Sequence, residues 1–177
     1  MCKQTLSEDG NSRTKIIVFT DGRIGAGEAA REFLMEEEGL GCTWLDADDS
    51  VQVKNKKLAW YQYADVTEED KVRPRVLVLH FAHAAGLNLQ AECNNMILYT
   101  PLYVGIGSTS GDAVSDASTE LQAIGRVFRP GQPKSTVNVY RLEILPPDSE
   151  GDEALDSHLI RRNTDKETIQ MAVNADD

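Results

Sequence analysis

Apolar residues fall in short β-branched runs, separated by longer stretches where apolar and polar positions recur at helical spacing. Ile16-Ile-Val-Phe19, closed by Asp21-Gly22, predicts a buried strand over 14–20 leading into a turn. Residues 28–38 are good helix formers, with Ala29, Phe33 and Leu34 as the inward face and Gly39 as the stop. A second strand is expected at 42–45. A helix follows over 51–64, turning inward either Val51, Leu58 and Tyr61 or Ala59 and Tyr63. Pro74 introduces the strand Val76-Leu-Val-Leu79, and Met96-Ile-Leu-Tyr99 forms another, ended by Pro101. Residues 104–118, rich in Gly, Ser, Thr and Asp, are expected to form a flexible loop. A helix over 119–129 and a strand over 137–144 come next. That strand places either Val137, Val139 and Arg141 inward or the complementary set. Two acidic surface helices are expected at 153–160 and 165–173.

Strands alternating with helices imply an α/β fold in three layers, with a mainly parallel central sheet flanked by helices. The expected organisation is a flexible N-terminus over 1–13, one domain over 14–145 containing the 104–118 loop, and an acidic helical extension over 146–177. Open parallel sheets hold ligands at the carboxyl ends of their strands. Chemistry is therefore expected in the loops after Leu79, after Tyr99 and around Arg129.

A length of 177 residues, 41% of them hydrophobic and 27% charged, fits one globular domain and excludes a disordered or fibrous chain. No apolar run approaches the roughly 20 residues that span a bilayer, and no signal-peptide stretch follows the first residues, so no membrane partner is expected. Cys2, Cys42 and Cys93 lack metal spacing and fit a reducing, intracellular setting. The net charge of −11 is unevenly spread. Residues 1–70 carry 8 basic and 15 acidic side chains, 71–142 carry 7 and 4, and 143–177 carry 3 and 10. Within the middle part, 71–91 and 121–142 contain no acid. Such acid-free strips suit phosphate contact, and equally suit buried strands, which exclude carboxylates for desolvation reasons.

The chemistry concentrates in Gln122-Ala-Ile-Gly-Arg126-Val-Phe-Arg129-Pro-Gly-Gln132. On a helix, Gln122, Arg126 and Arg129 lie at i, i+4 and i+7, on one face. Pro130 disfavours helical geometry at Arg129, so the helix should end there. Two guanidinium forks would then project beside a Gly-containing turn, in the form that suits charge on a transferring γ-phosphoryl group. The competing reading is a pair of surface salt bridges, weakened by the absence of local acids. A second segment runs from Val76-Leu-Val-Leu-His80 through Phe-Ala-His83 to Gly86-Leu-Asn88-Leu89. Here a buried strand enters a small-residue loop, where backbone can approach a ligand. His80 and His83 have no carboxylate or cysteine spaced for metal binding or nucleophilic chemistry, and are expected to serve packing or loop polarity. Trp44 and Trp60 are expected in the core, and Cys93 as a small buried hydrophobe.

These two segments, in this order over about 15–142, resemble the C-terminal helicase lobe of the Swi/Snf-related ATPases, the double-stranded-DNA translocases of chromatin remodelling and DNA repair. The resemblance implies a RecA-like lobe. It further implies that Arg126 and Arg129 act catalytically as arginine fingers, and that Gln122, Gly86 and Asn88 meet the nucleotide. Thr20, His80 and His83 would lie at the DNA backbone. ATP and Mg would be used only with a complementary N-terminal lobe, in cis or in trans; double-stranded DNA would be the substrate, and the nucleus the location.

Departures from the family pattern are Tyr99-Thr-Pro101 where an aspartate follows the fourth strand, Ala84 and Ala85 before Gly86, and Phe128 where a histidine often stands. No Gly-x-x-x-x-Gly-Lys-Ser/Thr segment occurs, and no Asp-Glu pair follows a strand to hold Mg, so the chain alone is expected not to hydrolyse ATP. The alternatives are a catalytically inactive helicase-like interaction module and an unrelated α/β nucleotide-binding protein.

Overall fold

The computed structural model describes residues 14–20, 25–37, 41–46, 48–62, 74–84, 86–90, 93–100, 116–143, 157–158 and 160–161. Five strands make one sheet: β1 (Ile16–Thr20), β2 (Cys42–Leu45), β3 (Val76–His80), β4 (Asn95–Leu98) and β5 (Asn138–Arg141). Their order is β2-β3-β1-β4-β5, and every pairing is parallel. The registers set Ile17 beside Leu77 and Met96, and Phe19 beside Leu79 and Leu98. β1, β3 and β4 are buried along their whole length, which is why they read as continuous apolar runs rather than alternating ones.

The helices are α1 (Ala26–Glu32), widened into a π turn over Phe33–Glu37, α2 (Val51–Gln62) and α3 (Asp116–Val127). One face of the sheet, with Ile17, Phe19, Leu77, Leu79, Met96 and Leu98, packs on Tyr61 of α2 and on Ala123 and Val127 of α3. The opposite face, with Ile16, Val18, Val76, Val78 and Ile97, packs on Ala30 and Leu34 of α1. Two helical layers thus enclose the sheet, as the α/β expectation required.

Several inward faces differ from expectation. In α1 the buried set is Ala26, Gly27, Ala30 and Leu34, while Ala29 and Phe33 face solvent. Ala29/Phe33 and Ala30/Leu34 share the same i,i+4 spacing, and the chain enters the helix through Gly25, whose φ of +64° sets the phase. In α2, Val51 is exposed and Tyr61 is the buried anchor, its hydroxyl donating to Ile16 O at 3.2 Å. Trp60, expected in the core, is 47% exposed. In β5 the second of the two expected alternatives holds: Tyr140, followed by Leu142, packs on the core while Val139 and Arg141 are exposed, and Val137, just before the strand, packs on the opposite cluster. Cys93 is buried as expected, its thiol donating to Asn95 O at 2.9 Å, and burial pushes its pKa up to about 11.

Residues 1–13, most of the 104–118 loop, the 165–173 helix and most of 146–177 lie outside the described residues. Ser157, His158, Ile160 and Arg161 are helical. Among the described residues no helix is long and apolar enough to cross a membrane.

Candidate functional site

The residues singled out in the sequence separate into two groups, one at each edge of the sheet. A helix linking two neighbouring parallel strands must run antiparallel to them. α3 follows β4 and precedes β5, so it starts at the carboxyl edge and ends at the amino edge. The expectation that ligand chemistry around Arg129 sits at the carboxyl edge is therefore corrected: Arg126 and Arg129 lie at the amino edge. Gln132 confirms the placement. Its carboxamide nitrogen reaches Cys93 O at 2.9 Å, two residues before β4 begins.

At this amino edge α3 gives way at Phe128, just before Pro130. Arg129-Pro-Gly-Gln132 then forms a tight turn. Gln132 N donates to Arg129 O at 3.0 Å, and Gly131 has φ +96°. Proline at the second position and a positive φ at the third define a type II turn. The chain emerging from β3 passes through a 3₁₀ turn (Phe81–Ala84) and Gly86, φ +82°, then descends to meet the arginines. Arg129 Nη1 donates to Asn88 Oδ1 at 3.2 Å, and Leu89 N donates to Arg126 O at 3.4 Å. Gln62, at the end of α2, donates to Asn88 O at 2.7 Å. The loop over 86–89 is thus held between the ends of two helices.

Among the described residues, neither Arg126 nor Arg129 has an ion-pair partner, and the Arg126 guanidinium has no hydrogen bond. The acid nearest to them on α3, Glu120, is 2% exposed and is taken up by Arg141 of β5 at 2.5 Å. Gln122 is exposed one turn before Arg126. Phe128, between the arginines, is 66% exposed. The surface-salt-bridge reading of the arginine pair therefore finds no support among the described residues.

The carboxyl edge gathers Thr20, His80 and His83. Thr20 is fully buried, and its hydroxyl shares a 3.0 Å hydrogen bond with His80 Nδ1. The His80 ring meets the edge of Trp44, with centroids 6.0 Å apart, and lies 5.5 Å from the His83 ring. The Thr20 hydroxyl and His80 Nδ1 are engaged with each other and so shape this edge from beneath, whereas His83 is partly exposed. Burial, followed by the charges of Lys54 and His80, lowers the His83 pKa; the Leu45 carbonyl and Asp46 oppose the shift. Trp44 Nε1 and His83 Nδ1 are buried without hydrogen-bond partners. Gly27 of α1 lies directly over this cluster: a Cβ there would stand 2.9 Å from Trp44 Nε1 and 3.0 Å from His80 Cε1. Sequence reasoning missed Trp44, Gly27, Gln62 and the Glu120–Arg141 pair. The glycine-rich run over 22–29, which reads in the sequence as a turn and helix start, is the one local signal that could have pointed to Gly27.

No protein-family model matches the chain, and no curated sequence matches it. Among solved structures it is similar to the C-terminal part of the Fun30 ATPase domain, with TM-score 0.57 and 19% identity over 88% of this chain and 45% of that one. It is also similar to Mss116p DEAD-box helicase domain 2 bound to an RNA duplex, with TM-score 0.52 and 14% identity over 80% of this chain and 46% of that one. The fold is that of a helicase second lobe. The chain spans less than half the length of either of these solved chains. Within this fold, the Gly86–Leu89 loop and the arginine turn share the amino edge, and Thr20, His80 and His83 occupy the carboxyl edge. Among the described residues, no group of three His, Cys, Asp or Glu could hold a metal ion.

Proposed function

We propose that this chain is the second RecA-like lobe of a Swi/Snf-related, ATP-dependent translocase on double-stranded DNA, working against a complementary first lobe supplied in cis or in trans. The observation that carries this reading is the Arg129–Asn88 hydrogen bond, which joins two sequence motifs 41 residues apart at one edge and leaves the Arg126 guanidinium unengaged among the described residues. A pair of fixed-charge planar forks beside a small-residue loop fits a polyphosphate, so the residues present suit ATP. Arg126 and Arg129 would act as arginine fingers. Gln122, Gly86 and Asn88 would border the nucleotide, and magnesium would be held with it by the other lobe. When bound, ATP supplies the phosphoryl group whose developing charge the guanidiniums stabilise.

At the opposite edge His83, with backbone shaped by the Thr20–His80 pair, would face the phosphates of the duplex. A nuclear location goes with this reading and is checked by imaging the tagged chain. The decisive experiment joins the chain to a first lobe bearing a Walker-type lysine and measures DNA-stimulated ATP hydrolysis. Arg126→Ala and Arg129→Ala should each lower kcat by about 100-fold or more, the range for removing charge stabilisation aimed at a transition state. Unchanged rates would overturn the role assignment.

Arg129 already spends a nitrogen on Asn88, which favours a second reading: an inactive helicase-like interaction module whose nucleotide edge is closed on itself. Co-purification with a helicase-type partner whose ATPase rate it leaves unaltered would support that reading over the first.

A further inference from the structure

The turn that presents Arg129 is fastened by one side chain. The Gln132 carboxamide nitrogen donates both to Cys93 O at 2.9 Å and to Val127 O at 3.1 Å, and its oxygen accepts from Lys134 N at 3.2 Å. Val127 O is one of the terminal helix carbonyls that the helix itself cannot satisfy. Cys93 O belongs to the segment leading into β4. A single amide therefore ties the C-terminal end of α3 to the start of a central strand. Its own backbone closes the Arg129–Gln132 turn, whose type II geometry is set by Pro130 and Gly131. Two protons on one nitrogen are needed for this clamp. Glutamate brings an acceptor against two carbonyl oxygens, and methionine brings no donor.

We propose that Gln132 is a positioning residue for the arginine pair: by clamping the end of α3 to the segment before β4, it fixes the direction in which Arg126 and Arg129 leave the backbone. The proposal rests on the reading of these arginines as fingers and adds to it the part that holds them. A finger displaced by about an ångström loses much of its effect on the transition state while substrate binding is little changed, so the loss falls on kcat.

The test uses the full chain joined to a first lobe, with Gln132→Met, Gln132→Glu and a matched structural variant, Asn138→Ala. Asn138 makes a 2.8 Å hydrogen bond to Asn95 at the same edge without touching the turn. The Gln132 variants should lower kcat about tenfold or more with the KM for ATP unchanged, while Asn138→Ala lowers Tm comparably and leaves kcat intact. Equal kcat losses in all three variants, or none in any, would overturn the proposal.

A second readout is independent of the ATPase reading. In the full chain by itself, Gln132→Met should raise the mobility of the Arg129 Nε–Hε group in ¹⁵N relaxation and leave that of Arg161 unchanged. An Arg129 side chain as ordered as before would overturn the proposal even if the fused protein hydrolysed no ATP. An inactive wild-type fusion, or an Arg126→Ala variant as fast as wild type, counts against the finger reading alone.

Discussion

Gly27 and Gly125 both lie inside helices, yet alanine should act oppositely at the two. A helix-interior Gly→Ala exchange by itself stabilises by about 1 kcal/mol. At Gly125 a Cβ would meet nothing within 4 Å, so that gain should appear in full. At Gly27 the new carbon would stand 2.9 Å from Trp44 Nε1 and 3.0 Å from His80 Cε1. Neither ring can step aside cheaply. The indole is a rigid bicycle packed edge-on against His80, and His80 is 7% exposed and fixed to Thr20 by its 3.0 Å hydrogen bond. Overpacking of this kind costs about 1–3 kcal/mol, and the propensity gain at the first turn of α1 is smaller than in mid-helix. Gly27→Ala should therefore destabilise by about 1 kcal/mol or more, and Gly125→Ala should stabilise by about 1 kcal/mol. For a chain of this size each corresponds to a Tm shift of about 2–4 °C. Calorimetry of the two variants reads the signs directly, and ¹H–¹⁵N spectra should show the Trp44 Nε1–H resonance moving in Gly27→Ala only. A Gly27→Ala variant melting at or above wild type would refute the close-packing argument and leave helix propensity as the ruling effect.

Glu120→Gln should cost about 1–2 kcal/mol in urea unfolding, below the 3–5 kcal/mol for breaking a fully buried pair, because the Arg141 side chain is 35% exposed and water can serve it; a loss that vanishes in the Arg141→Met background would confirm the pair, and an undiminished one would reject it. The lowered His83 pKa means that the folded chain holds fewer protons at this site than the unfolded chain. Its contribution is present above the unfolded value near 6.5 and is lost as pH falls through the lower folded value. Stability should accordingly drop between about pH 7 and pH 5, and His83→Gln should flatten that slope in urea midpoints. An identical slope in the variant would show that other groups carry it.

What the sequence disclosed follows from how many partners a residue needs in order to be read. Strands buried on both faces announce themselves, because every position from Ile16 to Phe19 and from Val76 to Leu79 must be apolar whatever its neighbours. Helix phase is less legible: Ala29/Phe33 and Ala30/Leu34 are equally good stripes, and the turn at Gly25 selects between them. Exposure of Trp60 depends on where α2 lies over the sheet, which no local pattern encodes. The arginine motif is legible in the sequence, but the edge it occupies depends on the direction of the helix that carries it, which the parallel pairing of β4 with β5 sets. Contacts such as Arg141 with Glu120, or Gln132 with Cys93, span 21 and 39 residues and exist only once the topology is fixed.

The separation of the two residue groups sets what the lobe can do by itself. Strands of four or five residues, at about 3.3 Å each, put roughly 15 Å between the edges, so one phosphate group cannot touch both Arg126 and His83. Two elements span that gap. The segment from His80 to Leu89 begins against Trp44 and ends on Arg126 O. α3 is bound to β5 by the Glu120–Arg141 pair nearer its start and to Cys93 O by Gln132 just past its end. A helix tied at both ends transmits displacement rather than absorbing it by bending. Within the proposed function, movement at the nucleic-acid edge would therefore reach the guanidiniums through α3 as a rigid strut. The arginines would then await an opposing wall carrying the nucleotide, and not a rearrangement of their own lobe.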